Sequence, residues 1–318
     1  MYPLIAAPPP LSLEDLLRKQ WATRVNAQVS ARFDGFAGRL LLTPLQQRDA
    51  ATKVAGIARC LNKEYWGLDS DSAHCIIEGS WGKGTQTRPP RDIDVLFVLP
   101  YQTYLRFQNR DGNRQSQLLQ EVKDTLSVTY PATRMRGDGQ VVVVNFSNGH
   151  GVEVVPAFKL ESGQYRICNT HNGGSYKTID PLAENEAIKR SNVAMAGTTI
   201  DLIRMIKRWQ RYCNVDDSLK SFQIELLVMD FLPRVSYGLA LRGLRDWLIR
   251  DFFGYLVQQS DSYVVVPGTN EIVWLGEAWV SRAQSAYQRA IKASNYEERE
   301  LTVLAVDEWQ KIFGADII

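Results

Sequence analysis

Two carboxylates, Asp92 and Asp94, stand two residues apart in the apolar stretch Asp-Ile-Asp-Val-Leu-Phe-Val-Leu, which Pro100 ends. The stretch is predicted as a β-strand. Because side chains at i and i+2 of a strand point to the same face, both carboxylates project into one site while Ile93 and Val95 enter the core. Two neighbouring like charges are costly to bury unless a cation neutralises them. Such a pair of hard oxygen ligands suits Mg²⁺.

A third carboxylate, Glu153, stands between apolar neighbours in Val-Glu-Val-Val-Pro, which is predicted as a later strand. Three convergent carboxylates can hold two divalent ions about 4 Å apart, the arrangement that clamps an in-line phosphoryl displacement. We therefore expect Asp92, Asp94 and Glu153 to be the metal ligands and the catalytic residues, with two Mg²⁺ or Mn²⁺ ions per site. Taken singly, each carboxylate indicates only a solvated strand face, so the preceding loop decides the interpretation.

That loop reads Gly-Ser-Trp-Gly-Lys-Gly-Thr from Gly79 to Thr85, with three glycines in six residues. Glycines at this density let the backbone approach a phosphate closely. The loop lacks the lysine that a Walker A motif has after its second glycine, and it leads into a strand rather than the helix of a dinucleotide-binding unit. A Gly-Ser turn, a strand with Asp-x-Asp and a third carboxylate on a later strand are together far more specific than any one of them.

The surrounding pattern predicts the elements that position these residues. Strands are expected at 75–78, 92–99, 141–146 and 152–155, the last stopped by Pro156, and residues 161–182 are expected to be irregular. Helices are expected from a cap at Ser12, from Thr43 to about Lys63, and at 116–126, 185–212, 219–232, 240–258, 277–293 and 301–313.

A mixed β-sheet set between helical segments predicts an α+β fold with two lobes and a central cleft. Residues 1–182, the N-terminal helices plus the sheet, are expected to form the catalytic domain. Residues 183–318 are expected to form a helical C-terminal lobe.

The composition is that of an ordinary globular protein, with 45% hydrophobic and 23% charged residues in 318. Thirty-seven basic against thirty-five acidic residues leave a net charge of +2. Stable binding of duplex nucleic acid is therefore not expected.

Four cysteines and three histidines are scattered without metal-ligand spacing. Prolines interrupt the apolar N-terminus, and no stretch is long and apolar enough to span a membrane, so we expect no signal peptide and a cytoplasmic protein.

The string Gly-Ser-Trp-x-x-Gly-Thr-x-Thr-x-Pro-Pro-x-Asp-Ile-Asp-Val resembles the polymerase-β-like nucleotidyltransferases. More narrowly, its Gly-Thr-x-Thr-x-Pro-Pro segment resembles the bacterial cGAS/DncV-like nucleotidyltransferases (CD-NTases), which make cyclic oligonucleotide signals in anti-phage defence. Matching segments also occur at 152–158, 202–209 and 219–225, so the resemblance spans roughly residues 45 to 232. One departure is visible, because the third ligand is Glu where many relatives have Asp.

The resemblance also implies residue roles outside the carboxylates. Gly79 and Ser80 would hold the donor triphosphate, and Lys207 would neutralise its outer phosphates. Ser221 would hydrogen-bond the same group, and Phe222 would stack on a base. Each of these residues is nucleotide-binding by resemblance alone.

The function implied is a magnesium-dependent nucleotidyltransferase. It would join ribonucleoside triphosphates, ATP included, into a cyclic di- or trinucleotide second messenger for anti-phage (CBASS) signalling, with release of pyrophosphate. The expected partners are ribonucleoside triphosphates and a regulatory protein, either a HORMA-type protein or a ubiquitin-like conjugation factor.

Three alternatives stay open at this point. A template-independent enzyme that adds nucleotides to an RNA end would need a basic channel, which the charge balance disfavours. An antibiotic-modifying nucleotidyltransferase would need an acidic pocket for a cationic drug. A non-catalytic nucleic-acid sensor with a zinc insert is disfavoured by the complete carboxylate set and by the scattered Cys and His residues.

Overall fold

The computed structural model describes residues 13–147, 149–235 and 244–318, with residues 13–26 described as backbone only. The helices are α1 (Leu13–Leu40), α2 (Pro44–Trp66), α3 (Gly79–Gly82), α4 (Tyr101–Gln108), α5 (Arg114–Thr129), α6 (Pro181–Ala194), α7 (Thr198–Tyr212), α8 (Ser221–Phe231), α9 (Arg245–Val257), α10 (Val280–Glu298) and α11 (Thr302–Phe313). The strands are β1 (Cys75–Ile77), β2 (Ile93–Val98), β3 (Arg134–Asp138), β4 (Val141–Asn145), β5 (Val152–Lys159), β6 (Tyr165–Asn169), β7 (Ser175–Ile179), β8 (Tyr263–Val265) and β9 (Ile272–Trp274).

Seven strands form one mixed sheet, which confirms the predicted α+β class. Its order is β1-β2-β5-β4-β3, with β6 paired to the far end of β5 and β7 paired to β6. The pair β2–β5 is parallel, and the other pairs are antiparallel. The two central strands are β2 and β5, so the strand that follows Asp92 and the strand that carries Glu153 are direct neighbours.

Strand β5 runs through Pro156, contrary to the expectation that this proline ends it. On its side away from β2, β5 pairs with β4 up to Val154 and with β6 from Ala157 onward. The proline therefore falls between two pairings, where a missing backbone donor breaks no ladder bond. This position explains why a proline is tolerated in a central strand.

Other predicted boundaries were wrong for local reasons. The segment 161–182, expected to be irregular, holds β6 and β7, and the hairpin β8–β9 was not predicted. The single helix expected at 185–212 is two helices, α6 and α7, separated at Gly197, which has a φ of 90°. The cap expected at Ser12 and the start of the helix expected at 240 lie outside the described residues.

Two main groups of buried side chains form the interior. One packs α2 and α5 against the sheet, with Val95, Phe97 and Val154 at its centre. The other lies among the five helices from α7 through α11 and also includes residues of α1 such as Phe36. Helix α1 thus packs with the C-terminal helices, although the predicted division between residues 182 and 183 assigned it to the catalytic part. That division stays a prediction.

The C-terminal residues also pack against α1 and α7. Ile317 is fully buried, and Asp316 is held by the guanidinium of Arg208 at 2.7 Å and by a hydrogen bond from Arg39 to its carbonyl. Within the part of the chain that the structure describes, no helix is both long and apolar enough to cross a membrane.

The packing of α1 generates a stability prediction. The Phe36 ring is fully buried and lies 4.9 Å from that of Phe313, so Phe36→Ala should lower the free energy of unfolding by about 3–5 kcal/mol in urea titrations. Val128 is 85% exposed, and Val128→Ala should change it by less than about 0.5 kcal/mol. A small effect of Phe36→Ala would show that α1 contributes little to the helical core.

Candidate active site

The three predicted carboxylates are brought together by the register of β2 and β5. Asp94 lies directly opposite Glu153 across the parallel pair. Asp92 immediately precedes β2, and its Oδ1 accepts a hydrogen bond of 2.6 Å from the backbone amide of Gly151, just before β5. The strand alternation that predicted a common face for Asp92 and Asp94 is therefore consistent with the structure, and the neighbouring strand adds Glu153.

Burial and mutual proximity raise the pKa values of two of these carboxylates. Burial, and then the charge of Asp92 among others, raises the pKa of Asp94 to about 6, although Lys83 opposes the shift. Burial, followed by the charges of Asp94 and Asp92, raises the pKa of Glu153 to about 7. A raised carboxyl pKa means that the charged form is disfavoured where it stands. The site therefore favours any cation that neutralises the group.

A divalent cation fits this donor set chemically, since hard carboxylate oxygens are the ligands that Mg²⁺ prefers. As the side chains stand, however, no three His, Cys, Asp or Glu residues in the described ranges are grouped closely enough to hold a metal. Asp92 is turned toward the Gly151 amide. A shared ion thus requires the carboxylates to turn toward each other. Such a turn needs only a change of side-chain rotamer, which is a small rearrangement.

The Gly-Ser motif forms the start of the one-turn helix α3 and not an open turn. Gly79 has a φ of 54°, and a Cβ built on it would lie 1.8 Å from Oδ2 of Asp94. Only glycine allows this close approach. The backbone amide of Thr85 donates to the carbonyl of Ser80 at 2.8 Å, which folds the loop back over the motif. The loop is therefore built against the carboxylates.

All eight predicted site residues line a single cavity of about 330 Å³. They are Gly79, Ser80, Asp92, Asp94, Glu153, Lys207, Ser221 and Phe222. Five lining residues were not predicted as site residues: Lys83, Thr85, Arg91, Arg211 and Glu225. Lys83 and Thr85 belong to the glycine-rich loop, and Arg211 lies one helical turn after Lys207, so their proximity to the motif was the available signal.

Lys207 lines the cavity as a buried residue that is already paired. Its side chain is 2% exposed, and its ammonium donates to Oε1 of Glu225 at 2.5 Å and to the hydroxyl of Thr85 at 2.8 Å. Burial lowers the pKa of Lys207, although Glu225 opposes the shift. The lysine lines the cavity but already has a carboxylate partner.

Glu225 is shared between two lysines. Its Oε2 lies 3.2 Å from the ammonium of Lys83, which also contacts Glu184 at 2.5 Å. Burial would raise the pKa of Glu225, but Lys207 and Lys83 hold it at about 2. The carboxylate is thus charged at any physiological pH. Loop residues 83–85 are tied through Glu225 to α7 and α8, and through the Lys83–Glu184 contact to α6.

Arg211 and Phe222 complete the cavity wall. Arg211 donates to the carbonyl of Pro89 at 2.8 Å, and burial together with the charges of Arg91 and Arg208 lowers its pKa to about 10. Phe222 is 37% exposed, which leaves part of its ring open to a ligand.

Ser221 is hydrogen-bonded as the structure stands, since its hydroxyl donates to the side-chain oxygen of Gln210 at 3.0 Å.

A second cavity of about 280 Å³ also has Phe222 in its wall. It shares Lys83, Phe222 and Glu225 with the first and is also lined by Lys177 of β7 and Glu271 of the β8–β9 hairpin. The two cavities together offer space for more than a phosphate group.

Comparison with known proteins agrees with this geometry. Residues 28–192, more than half of the chain, match the family described as "Second Messenger Oligonucleotide or Dinucleotide Synthetase domain". A curated protein of Bacillus cereus (strain VD146), named "Probable cyclic nucleotide synthase", is 24% identical, and the alignment covers 74% of this chain and 80% of that protein.

Two solved structures have the same fold. The E. coli MS115-1 CdnC:HORMA-deltaN complex matches with a TM-score of 0.65 at 19% identity, covering 91% of this chain and 98% of that chain. Vibrio cholerae DncV cyclic AMP-GMP synthase matches with a TM-score of 0.65 at 14% identity, covering 91% and 95%. The family match over most of the sheet, with the shared fold, shows that the chain belongs to the second messenger oligonucleotide or dinucleotide synthetases, the cGAS/DncV-like nucleotidyltransferases.

Proposed function

We propose that this enzyme joins ribonucleoside triphosphates, ATP among them, into a cyclic di- or trinucleotide and releases one pyrophosphate for each bond formed. The observation that carries the proposal is the pairing of Asp94 with Glu153 across β2 and β5, in one cavity with the Gly79–Ser80 motif. The B. cereus relative is named as a cyclic nucleotide synthase, and DncV as a cyclic AMP-GMP synthase. Both names support the same reaction for this chain.

We propose Mg²⁺ or Mn²⁺ as the cofactor, two ions per site, held by Asp92, Asp94 and Glu153. When bound, such ions lower the pKa of an attacking hydroxyl and neutralise charge on a departing pyrophosphate. The raised pKa values of Asp94 and Glu153 support a cation site here.

The remaining cavity residues would bind and orient the nucleotide. Gly79 and Ser80 would present backbone amides and a hydroxyl to the triphosphate, Ser221 would donate to the same group, and Phe222 would stack on a base. Lys207 would neutralise the outer phosphates, and Arg211, whose guanidinium donates to a carbonyl oxygen, would attract them as well. Positioning and charge are the main contributions that a protein makes to phosphoryl transfer.

In each step a ribose hydroxyl oxygen bonds to the α-phosphorus of a triphosphate. The bond between that phosphorus and the bridging oxygen breaks, pyrophosphate leaves with the electron pair, and the hydroxyl proton passes to solvent. The linear product then rebinds with its ends exchanged, and a further step of the same kind closes the ring.

We further propose that the product serves anti-phage (CBASS) signalling and that a regulatory protein, HORMA-type or a ubiquitin-like conjugation factor, controls the enzyme. The CdnC structure contains a HORMA protein, which supports a partner of this kind. A partner that takes up the C-terminal end must first release Ile317 from its buried position.

The decisive experiment is incubation with all four ribonucleotides and Mg²⁺ or Mn²⁺, with products identified by mass and by nuclease resistance. We expect nuclease-resistant rings. Linear chains of growing length would instead favour an RNA-end nucleotide-adding enzyme. Absence of both product and nucleotide binding would contradict the proposal.

Loss of one carboxylate should abolish the reaction without unfolding the protein. We expect Asp94→Asn to reduce the rate of product formation by about 1,000-fold, because the lost charge stabilises the transition state through the bound cations. Exposed Asp217→Asn, which lies outside the cavity, is the matched control and should retain native activity. An Asp94→Asn protein with more than a tenth of native activity would remove this carboxylate from the mechanism.

Metal binding should stabilise the protein more at high pH than at low pH. The folded-state pKa values of about 6 for Asp94 and about 7 for Glu153 lie above their ordinary values. Without metal, this pair therefore costs stability progressively as the pH rises from about 4 to about 7. Below about pH 7, protons compete with the cation for the same carboxylates. The rise in melting temperature on adding Mg²⁺ should be larger at about pH 8 than at about pH 5.

The close approach of Gly79 to Asp94 also gives a testable prediction. Gly79→Ala places a methyl group on Oδ2 of Asp94 and should weaken Mg²⁺-nucleotide binding by about 10-fold or more. Gly84 also has a positive φ, of 70°, but has no atom within 4 Å of a built Cβ, so Gly84→Ala is the matched control for backbone strain alone. Equal losses of nucleotide affinity in the two variants, measured by calorimetry, would show that strain and not the contact matters.

A further inference from the structure

The lysines of the cavity are neutralised within the protein. The ammonium of Lys207 has Glu225 at 2.5 Å, and that of Lys83 has Glu184 at 2.5 Å and Glu225 at 3.2 Å. Two positive and two negative charges therefore cancel inside this buried group. Neither lysine offers an uncompensated charge to a phosphate in the state that the structure shows.

Glu225 would lose its shortest charged contact if Lys207 turned away. Its Oε1 accepts from Lys207 and from the hydroxyl of Thr85, at 2.5 and 2.6 Å, and the side chain is 3% exposed. If Lys207 turned to a phosphate, Glu225 would keep only Thr85 and Lys83 in a site that water barely reaches. A buried carboxylate that loses a partner is strongly disfavoured. A phosphate and Glu225 must therefore compete for the same ammonium group.

The geometry points to Glu225 as a positioning residue that competes with the outer phosphates for Lys207 and recaptures the lysine when pyrophosphate leaves. The inference rests on the proposed function, since it takes pyrophosphate as the leaving group. In this arrangement Glu225 limits the affinity of the site for the product and so keeps turnover from stalling on it.

Thr85 is the second component of the same device. Its hydroxyl donates to Glu225 at 2.6 Å and lies 2.8 Å from the ammonium of Lys207, so it holds the two charged groups in contact. Its backbone amide is bonded to the carbonyl of Ser80. Lys207 and Glu225 therefore lie beside the Gly79–Ser80 motif, which is proposed to hold the triphosphate.

Arg211 differs from the lysines in this respect. Its guanidinium donates to the carbonyl of Pro89, and it forms no ion pair with a carboxylate of the described residues. Its positive charge faces the cavity, and the carboxylate of Asp216 acts on it without forming an ion pair. Arg211 should thus increase pyrophosphate affinity, whereas Glu225 should decrease it, which gives two variants with opposite expected effects.

The test is the affinity of inorganic pyrophosphate in the presence of Mg²⁺, measured by calorimetry on the full chain. Glu225→Gln keeps the shape of the side chain and one acceptor oxygen but removes its charge and replaces the other acceptor with a donor. We expect it to bind pyrophosphate about 10-fold more tightly, to show a lower KM for the nucleotide and to have a lower kcat because product release slows. Arg211→Gln should bind pyrophosphate about 10-fold more weakly.

A merely structural role of Glu225 would lower the melting temperature and weaken pyrophosphate binding, and that result would overturn the inference. Should Glu225→Gln not fold, Thr85→Val removes only the hydroxyl and should tighten pyrophosphate binding in the same direction, by about 3-fold. Unchanged or weaker binding in a folded Thr85→Val protein would also overturn it.

These outcomes are separable from failure of the proposed function. If the native enzyme makes cyclic products but neither Glu225→Gln nor Thr85→Val tightens pyrophosphate binding, only the role of Glu225 is wrong. If the native enzyme neither makes a nucleotide product nor binds nucleotides while Glu225→Gln binds pyrophosphate more tightly, the competition stands and the proposed reaction is wrong.

Discussion

The repulsion between carboxylates on β2 and β5 is the constraint on which the rest of the site depends. The parallel register sets Asp94 opposite Glu153, and Asp92 stands two residues earlier on the same face. Folding therefore brings negative charge together at one end of the central strand pair, and burial, followed by this charge, raises the pKa values of Asp94 and Glu153. The nearby cations Lys83 and Arg136 oppose these shifts only in part. Such incomplete compensation fits a site that a cation completes.

The basic residues nearby are instead used to join the sheet to the helices. Lys83, from the loop after α3, reaches Glu184 of α6 and Glu225 of α8, while Lys207 of α7 reaches Glu225 and Thr85. The contacts of Lys83 with the two glutamates and of Lys207 with Thr85 cross from the sheet region to the helical region, whereas the Lys207–Glu225 pair joins α7 to α8. Because the partners are buried, a small displacement of the helices would separate charges at a high cost. The same residues that line the cavity therefore also hold its two walls in register.

Much of this site was predictable from local sequence pattern, and the part that was not depends on distant contacts. Strand alternation placed Asp92 and Asp94 on one face, and the Gly-Ser motif identified the loop against them. Nothing in the neighbourhood of Lys207 shows that its ammonium is bonded to Glu225, since the pairing depends on how α7 packs on α8. Likewise, Pro156 ends a strand by local rules, and only the changeover from β4 to β6 makes it acceptable.

The cavity, like the whole chain, has nearly equal numbers of basic and acidic residues. Its ionisable lining residues are four basic ones, Lys83, Arg91, Lys207 and Arg211, and four acidic ones, Asp92, Asp94, Glu153 and Glu225. A polyanionic substrate cannot be attracted by an excess of positive charge that does not exist. Binding must then depend on where the charges lie. The carboxylates proposed to bind the metal lie on the sheet, and the basic residues lie on the loop and on α7. Such a site favours a ligand that brings cations of its own, which is consistent with a net charge of +2 in an enzyme proposed to handle nucleotides.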